Sequence, residues 1–350
     1  MKYRVIQWAT GATGSYALRS IIQNSNLKLV GLYVHSAAKN GKDAGELCGL
    51  KPIGVKATND IDAIIGIDAD VVLHMPLPSA RANEEDPTYD EKIICRLLES
   101  GKNIITTTGF LYPKAHGPDI FNRLESACRA GNASLHGTGT NPGFLSDLLP
   151  LVCSSISARV DRIYALESSV FDFYPSPSVI FDMMQFGAKI DDFKGLDGKY
   201  GTWLSNLFIE SIHMLADGFR VPLAEIKSNV EVELADKSVD IAAGTVKPGT
   251  IIAQRWKWEG IVKGNPFIVL EVIYRAVSDC AAQWVKPNFK VHVAGKPNIL
   301  IDLGEEWLSN ALLATAAHAV NAIPYVCDAE PGVRTFLDLP LMIGQNTVIS

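Results

Sequence analysis

Basic residues are in the minority in this chain of 350 residues, which carries 32 Lys and Arg against 38 Asp and Glu and a formal net charge of −6. Binding to a nucleic-acid backbone needs a basic surface, so this charge balance argues against DNA or RNA as a partner. Disorder is excluded as well, because 47% of the residues are hydrophobic and only 20% are charged. The length predicts about two domains.

Long apolar runs are missing too. The longest one, near Ala311 to Val326, is interrupted by His318 and Pro324, whereas a membrane-spanning helix needs about 20 consecutive apolar residues. The N-terminus shows no apolar leader and runs directly into a predicted strand. We therefore expect a cytoplasmic protein with no membrane partner.

The cysteines are few and scattered. No two of them form a C-x-x-C pair, and none stands near histidines at the spacing of zinc ligands, so the pattern predicts reduced thiols with neither a disulfide scaffold nor a bound metal. They are Cys48, Cys95, Cys128, Cys153, Cys280 and Cys327.

Residues 1–145 alternate short β-branched runs with amphipathic helical patterns. This alternation predicts right-handed βαβ crossovers and an α/β fold with a doubly wound parallel sheet. The predicted strands are Tyr3–Trp8, Lys28–Val34, Ala69–His74, Asn103–Thr108 and Ala133–His136, and the predicted helices are Tyr16–Asn24, Glu91–Ser100 and Pro118–Ala130.

From residue 146 to residue 304 the strands become longer and alternate polar with apolar residues. Turn signals separate them, which favours an α+β domain with a mainly antiparallel open sheet. A last helical pattern covers Trp307–Ala322, and by analogy with two-domain reductases we expect residues 305–350 to return to the first domain. The predicted strands are Ser228–Leu234, Thr250–Val262, Pro266–Val277 and Phe289–Val293.

A glycine-containing turn follows the first predicted strand and opens the first helix. It matches the fingerprint of a dinucleotide-binding Rossmann domain, with alanine in place of the first glycine. Gly11 would let the backbone approach a pyrophosphate, Gly14 would allow close packing of helix on strand, and the helix N-terminus would offer free N–H groups to the phosphates. The alternative is a tight turn without a ligand. The turn consists of Ala9, Thr10, Gly11, Ala12, Thr13 and Gly14.

The end of the second predicted strand favours NADP over NAD. A carboxylate that holds the ribose 2′-hydroxyl of NAD is expected about 20 residues after the glycines, but no acidic residue occurs there before Asp43. His35, Ser36 and Lys39 stand in this region instead, and a 2′-phosphate could bind the Ser36 hydroxyl and the Lys39 ammonium. Alternatively, His35 and Lys39 are solvated loop residues and either cofactor is accepted.

Two more strand ends should lie at the carboxyl edge of the sheet, where a nicotinamide would bind. One is the segment from His74 to Pro78, with Met75 and Pro76 as the candidates, and the other is the segment from Thr106 to Phe110, with Thr106 and Thr107 as the candidates. Hydroxyl groups and backbone amides suit contacts with a ribose and a carboxamide. The same residues are also ordinary in loops.

Four segments carry a resemblance to a known family, and they lie across essentially the whole chain. They are Val5–Gly11, Asp70–His74, Gly101–Thr106 and, above all, His136–Phe144 with its run G-T-G-T-N-P-G-F. The chain resembles the dihydrodipicolinate-reductase-like superfamily, in particular the branch of 2,4-diaminopentanoate dehydrogenases and native amine dehydrogenases.

The resemblance implies a Rossmann domain followed by an α+β substrate domain whose open sheet forms homo-oligomers, here a dimer. It implies an NAD(P)-dependent oxidoreductase that transfers a hydride between nicotinamide and a C=N or C=O carbon, and it places Asn141 among the cofactor-binding residues. The histidine- and lysine-rich motif of the diaminopimelate-pathway reductases has no counterpart here, so dihydrodipicolinate is not the expected substrate.

The chain departs from that branch in one respect. Amine dehydrogenases of the branch resemble one another in a glutamate after the fifth strand, which can orient ammonia and stabilise an iminium. Here no acidic residue follows Thr106 before Asp119. Because an unpaired iminium is costly in a dry pocket, an ammonia-independent carbonyl reductase and an inactive NAD(P)-binding sensor stay open as alternatives.

Three residues are candidates for catalysis. Tyr112 follows the strand end near the expected nicotinamide, and His136 ends a strand just before the second glycine-rich turn and has the pKa range for proton transfer. Glu167, in a strand-like run of the second domain, could replace the missing carboxylate. The structural alternatives are a packing tyrosine, a core histidine and a glutamate on the polar face of an antiparallel sheet.

Several aromatic residues of the second domain predict a pocket for a small hydrophobic ketone, imine or amine. Asp172, in the same part of the sequence, could also replace the missing carboxylate. A domain core or a subunit interface would use the same aromatic residues. The predicted pocket residues are Phe144, Phe171, Asp172, Tyr174 and Trp203.

Overall fold

The computed structural model describes residues 2–78, 86–344 and 347. The described residues divide into two compact units, of which the first contains residues 2–78, 86–143, 311–344 and 347, and the second contains residues 144–310. Within the described ranges no helix has the length and apolar character needed to cross a bilayer.

The first unit is built on a parallel sheet whose strands alternate with helices. Its strands run in the order β3-β2-β1-β4-β5-β6, and every neighbouring pair is parallel. The order reverses between β1 and β4, which is the switch point where a doubly wound sheet binds its ligand. The strands are β1 (Tyr3–Trp8), β2 (Leu27–Tyr33), β3 (Ala57–Thr58), β4 (Val71–His74), β5 (Asn103–Thr106) and β6 (Ser134–Gly137).

Helices cover both faces of this sheet. Successive residues of a strand point to opposite faces, so Val5 belongs to one apolar core with Leu18 of the first helix, and Ile6 belongs to a second core with Leu97 and Leu124. The helices are α1 (Ala12–Gln23), α2 (Ala44–Leu47), α3 (Ile61–Ile65), α4 (Tyr89–Glu99) and α5 (Pro118–Ala130). The predicted Rossmann sheet is thereby confirmed. The helix predicted from Tyr16 begins at Ala12, because the glycine turn itself forms the first helical turn.

The second unit contains a six-stranded mixed sheet in the order β14-β13-β7-β12-β11-β8. Four of its five strand pairs are antiparallel and only β7 and β12 are parallel, which confirms the mainly antiparallel sheet. The strands are β7 (Arg159–Val170), β8 (Glu225–Leu234), β11 (Ile251–Val262), β12 (Asn265–Arg275), β13 (Asn288–Lys296) and β14 (Ile299–Asp302), with a separate hairpin of β9 (Val239–Ile241) and β10 (Gly244–Val246).

A long helix covers one face of this second sheet. Helix α6 (Leu149–Ser154) is short, and helix α7 (Lys199–Gly218) is the long one. The Phe208 ring of α7 stacks on the Trp258 ring, with 4.4 Å between the ring centroids. The Trp258 indole nitrogen donates a hydrogen bond to the Ser205 hydroxyl over 3.1 Å. Helix α7 was not predicted from the sequence.

The end of the chain belongs to the first sheet. Helix α8 (Glu306–Cys327) contributes Ala319 and Ile323 to the core that contains Val5. Strand β15 (Gly332–Val333) then pairs in parallel with β6 and becomes the seventh strand of the sheet.

Candidate functional site

The turn between β1 and α1 leaves room for a ligand. A β-carbon built on Gly11 would meet no atom within 4 Å, whereas one built on Gly14 would clash with the carbonyl oxygen of Ala9. Gly11 is the N-cap of α1, no side chain caps this helix end, and its first turn has no acidic residue. Its N–H groups and the positive end of the helix dipole therefore suit a phosphate. These residues fit the pyrophosphate of a nicotinamide dinucleotide.

Ala9 takes the conformation that the fingerprint reserves for glycine. Its φ angle is 75°, in the left-handed region that disfavours residues with a β-carbon. The backbone N–H of Ala9 donates to the carbonyl oxygen of Tyr33 over 2.9 Å, and the Gln7 side-chain amide donates to the carbonyl oxygen of Ala9 over 3.0 Å. Hydrogen bonds from two strands thus hold the turn in shape.

Lys39 is bonded to the glycine turn. Residues Ala37–Lys39 form a short 3₁₀ turn after β2, and Lys39 Nζ lies 2.9 Å from the carbonyl oxygen and 3.0 Å from the hydroxyl of Thr10. Ser36 is exposed, and the exposed His35 ring packs edge-on against Tyr33. The Lys39 ammonium is thus bonded to the turn, beside the predicted phosphate site, and its contact with a cofactor stays a prediction.

Polar side chains from two strand ends meet at the carboxyl edge of the sheet. His74 ends β4 and is 1% exposed; its Nδ1 lies 3.1 Å from Thr106 Oγ1, and its Nε2 lies 3.9 Å from an oxygen of Asp90 in α4. Thr106 Oγ1 lies 2.8 Å from Thr108 Oγ1 and accepts the Thr108 backbone N–H over 3.2 Å. Burial lowers the pKa of His74 to about 4, so the imidazole is neutral.

Asp90 was not predicted from the sequence, whereas His74 and Thr108 belong to the two strand ends that the sequence predicts at this edge. Their signal in the sequence was weak: a histidine closes the apolar run of β4, and a row of threonines closes that of β5. The parallel pairing of β4 with β5 places His74 next to Thr106, so the polar side chains of the two strand ends are neighbours.

The other predicted residues of this edge contribute chiefly backbone. The N–H of Met75 bonds to the carbonyl of Trp8 over 3.1 Å, and that of Thr107 bonds to the carbonyl of His74 over 3.1 Å. The Met75 side chain belongs to the apolar core, and Pro76 is buried. A role for these residues in cofactor binding stays a prediction.

The second glycine-rich turn is anchored to the first sheet and to α8. The N–H of Thr138 bonds to the carbonyl of Thr106 over 2.9 Å, and Thr140 Oγ1 lies 3.1 Å from the carbonyl of Ala311 and 2.8 Å from Thr315 Oγ1. Asn141 follows in an irregular segment with extended backbone. Its predicted contact with the cofactor stays a prediction.

Tyr112 and His136 are both buried in the first unit. Tyr112 is 5% exposed and stands just before a 3₁₀ turn, with the Lys114 ammonium 5.9 Å from its ring centre. His136 Nδ1 lies 2.8 Å from the carbonyl oxygen of Arg334, and its ring packs edge-on against Phe336. Burial lowers the pKa of His136 to about 4. These contacts favour the core-histidine alternative for His136.

Glu167 lies beside an aromatic cluster in the second unit. It is directly opposite Phe289 of β13, and such residues project to the same face of a sheet. The Phe289 ring lies 6.4 Å from the Trp307 ring, which in turn stacks on Phe144 at 6.4 Å. The Ser169 hydroxyl donates to Glu167 Oε1 over 3.0 Å. Of the aromatic residues in this cluster, Phe289 is the one that lies directly opposite Glu167.

The remaining predicted pocket residues lie in other parts of the second unit. Phe171 packs against Tyr174 and Tyr274, with ring centroids 6.4 and 5.2 Å away. Trp203 belongs to α7, where its ring lies 5.9 Å from that of Tyr200. Asp172 is exposed in the segment after β7.

Comparisons with known proteins connect both units to one group of enzymes. Residues 144–348 match the family model of the 2,4-diaminopentanoate dehydrogenase C-terminal domain, and residues 5–116 match that of the dihydrodipicolinate reductase N-terminus. An amine dehydrogenase of Streptomyces virginiae is 29% identical, with 96% of each chain covered. A 2,4-diaminopentanoate dehydrogenase of Acetoanaerobium sticklandii is 25% identical, with 97% of this chain and 94% of the relative covered.

A solved structure shows the same fold. The amine dehydrogenase from Mycobacterium smegmatis superposes with a TM-score of 0.81 at 20% identity, over 98% of this chain and 97% of that chain. The resemblance inferred from the sequence is confirmed. The chain belongs to the family defined by the 2,4-diaminopentanoate dehydrogenase C-terminal domain, and it is an oxidoreductase that uses a nicotinamide cofactor, NAD or NADP.

Proposed function

We propose that this enzyme transfers a hydride between NADP and a small hydrophobic imine or amine. The observation that carries the proposal is Glu167 opposite Phe289, whose ring lies 6.4 Å from that of Trp307, because an amine substrate needs both an apolar surface and a carboxylate for its positive nitrogen. The names of the full-length relatives, an amine dehydrogenase and a diaminopentanoate dehydrogenase, support the same chemistry.

Two observations support NADP as the cofactor. Lys39 holds its ammonium beside the glycine turn. Asp43, the first acidic residue after β2, is 1% exposed and accepts hydrogen bonds from the backbone N–H groups of Gly45, Ile53 and Gly54. These bonds hold the pKa of the Asp43 carboxyl below its usual value. Because the carboxylate already accepts hydrogen bonds from its own loop, it is not expected to bind a ribose hydroxyl.

The turn at Gly11 and Lys39 would hold the cofactor, whose nicotinamide would supply or accept the hydride at the substrate carbon. The chain positions the reacting groups and stabilises charge. Glu167 takes the role of the glutamate that is missing after β5. Its carboxylate pairs with the iminium nitrogen and stabilises the positive charge of the iminium, which hydride transfer then neutralises. Ser169 orients this carboxylate through the hydrogen bond to Oε1.

NADPH consumption by the purified protein tests the proposal. We would measure it across a panel of hydrophobic ketones and aldehydes, each with and without a high concentration of ammonium, and expect turnover that depends on ammonium. Glu167→Gln should lower kcat/KM about 100-fold or more, in the range measured for loss of one charge-stabilising group. Asp161→Asn, the same change at a half-exposed position of the same strand, should leave kcat/KM unchanged.

The other outcomes identify the alternatives. Turnover that is indifferent to both ammonium and Glu167 would make the protein a carbonyl reductase, which the absence of an acidic residue between Thr106 and Asp119 favours. Cofactor binding without turnover on any substrate would make it a sensor.

We also propose a homodimer formed through the open sheet of the second unit. The face of that sheet opposite Trp258 carries charged side chains that are about one-third exposed, among them Arg255, Lys257 and Lys290. Light scattering on the purified protein should give twice the mass of one chain, and a mass of one chain would contradict this proposal.

A further inference from the structure

The side chains of His74, Thr106 and Thr108 form a chain of hydrogen bonds. The Thr106 hydroxyl lies in the middle, so it links the donor and acceptor roles of the other two groups. A threonine hydroxyl has one hydrogen to donate and two lone pairs that accept. One lone pair of Thr106 Oγ1 accepts the backbone N–H of Thr108. Two contacts remain, to His74 Nδ1 and to Thr108 Oγ1. One of them must be a donation by Thr106 and the other an acceptance.

Asp90 decides between the two directions. Neutral histidine carries its hydrogen on one nitrogen only, and a negative charge near Nε2 stabilises the tautomer with the hydrogen there. The Asp90 oxygen lies on the Nε2 side of the His74 ring, at 3.9 Å. Nδ1 is then an acceptor, so Thr106 donates to His74 and accepts from the Thr108 hydroxyl. In the other tautomer every bond would reverse, and Thr108 would keep a free hydrogen to donate.

In the direction that Asp90 favours, Thr108 has used its only hydrogen and presents lone pairs alone. Thr108 is 6% exposed and lies two residues after the end of β5, at the carboxyl edge where the sheet binds its ligand. Lone pairs attract an N–H group and repel a carbonyl or carboxylate oxygen. This polarity suits two groups of the proposed reaction: the carboxamide NH₂ of the nicotinamide and the N–H of an imine, iminium or amine.

We propose that the Thr108 hydroxyl is a dedicated acceptor for an N–H group of the bound ligands, and that His74, held by Asp90, is the positioning residue that fixes this polarity. The inference rests on the proposed function and deepens it, because it supplies a reason for the enzyme to prefer a nitrogen substrate over its oxygen analogue.

The first experiment compares the binding of two cofactors and needs no turnover. NADPH and its 3-acetylpyridine analogue differ by a methyl group in place of the amide NH₂, so the ratio of their dissociation constants measures the contribution of the N–H group. If Thr108 accepts from the carboxamide, wild type should prefer NADPH about 10-fold, as expected for one hydrogen bond of 1.4 kcal/mol. Thr108→Val should abolish the preference, and Thr108→Ser, which keeps the hydroxyl, should retain it.

The second experiment identifies the donor if it belongs to the substrate. The cofactor ratio should then be the same in all three proteins, while Thr108→Val lowers kcat/KM for the ammonium-dependent reaction about 10-fold relative to Thr108→Ser. An unchanged cofactor ratio together with unchanged kcat/KM would overturn the inference. If no substrate is turned over, the proposed function fails and the cofactor ratio alone decides on Thr108.

Variants of Asp90 and His74 test the polarity itself. Asp90→Asn removes the charge that selects the tautomer, and His74→Leu removes the acceptor, so in both the Thr108 hydroxyl can turn its hydrogen outward. The preference for NADPH over the 3-acetylpyridine analogue should then disappear, so that the ratio of the two dissociation constants falls towards one. A merely structural defect would weaken the binding of both cofactors equally and leave this ratio unchanged. His74→Asn, which offers a carbonyl oxygen near the place of Nδ1, should restore part of the preference. Should His74→Leu not fold, Asp90→Asn decides, and a wild-type ratio in that variant would refute the role of His74.

Discussion

The ammonium nitrogen of Lys39 lies 2.9 Å from the carbonyl oxygen of Thr10, so a positive charge from the 3₁₀ turn that follows β2 lies against the turn that opens α1. If this charge binds the 2′-phosphate, Lys39→Met should weaken NADPH binding by about 10- to 100-fold, the range for loss of one hydrogen bond to a charged group. Binding of NADH should change little, because NADH lacks that phosphate. Fluorescence titration at fixed ionic strength measures both constants.

Lys28→Met provides the matched control for Lys39. Lys28 is exposed near the start of β2, at the opposite end of the strand from the predicted phosphate site. The substitution removes the same charge from the same unit and should leave both dissociation constants within about twofold, since exposed charges at a distance are screened. Equal losses for NADPH and NADH in Lys39→Met would show that Lys39 only supports the turn.

The two glycines of the first turn should respond differently to alanine. A β-carbon on Gly14 would clash with the Ala9 carbonyl oxygen, so Gly14→Ala should lower the free energy of unfolding by about 1–3 kcal/mol, as overpacking does. At Gly11 the space is open, and Gly11→Ala should cost under about 1 kcal/mol as a change of N-cap residue. The new methyl group would occupy the place of the pyrophosphate, so cofactor affinity should fall in this variant.

Urea unfolding and cofactor titration of both variants check this prediction. A Gly11→Ala protein that keeps full affinity for the cofactor would contradict the assignment of the open space to the pyrophosphate. A Gly14→Ala protein as stable as wild type would show that α1 shifts away from β1 without cost.

Local patterns were sufficient to predict the Rossmann sheet and its glycine turn. Strands, turns and helix starts are encoded within a few residues, and the turn at Ala9 keeps its shape even without the first glycine. Helix α7 is locally encoded as well, since its apolar residues Leu204, Leu207 and Phe208 recur at helical spacing. The parallel pairing of β7 with β12 has no such local signal.

The contacts that define the candidate site depend on residues far apart in the chain. Lys39 and Thr10 are 29 positions apart, and His74 and Thr106 are 32 positions apart. Each residue alone is unremarkable in the sequence, and only the order of strands brings them to one edge. The same holds for Glu167, which the pairing of β7 with β13 places opposite Phe289.

Two buried histidines should make the stability of the protein depend on pH. Burial lowers the pKa of His74 and of His136 to about 4 in the folded chain, whereas the unfolded value is about 6.5. Between these values the unfolded chain binds more protons, so stability is complete above about pH 6.5 and falls as the pH decreases. Each histidine contributes up to about 1.4 kcal/mol per pH unit to the slope.

Urea unfolding of wild type and His136→Leu from pH 8 to pH 5 measures this slope. Below about pH 6 the free energy of unfolding should fall with decreasing pH less steeply in the variant than in wild type, and the difference in slope should correspond to about one proton. Above about pH 7.5 both curves should be flat. Parallel curves over the whole range would mean that His136 is protonated in the folded protein without penalty. Comparing slopes rather than absolute stabilities separates titration from the loss of packing against Phe336.

Arg275, at the end of β12, should be a main determinant of stability in the second unit. It is 1% exposed, and desolvation lowers its pKa. Its Nε donates to the carbonyl of Cys280 over 3.1 Å, Nη2 to the carbonyl of Val285 over 2.8 Å, and Nη1 to the Ser168 hydroxyl over 2.6 Å. The guanidinium thus ties the loop after β12 to the neighbouring strand β7.

Arg275→Met should lower the free energy of unfolding by about 3–5 kcal/mol, as loss of a buried, fully bonded charge does, because the carbonyl groups of the loop lose their donor. Arg275→Lys should recover only part of this, since one ammonium cannot reach all the acceptors that the planar guanidinium contacts. Arg159→Lys, at a position whose side chain is 57% exposed, should stay within about 0.5 kcal/mol of wild type. Urea denaturation measures all three variants, and an Arg275→Met protein as stable as Arg159→Lys would show that water replaces the guanidinium at no cost.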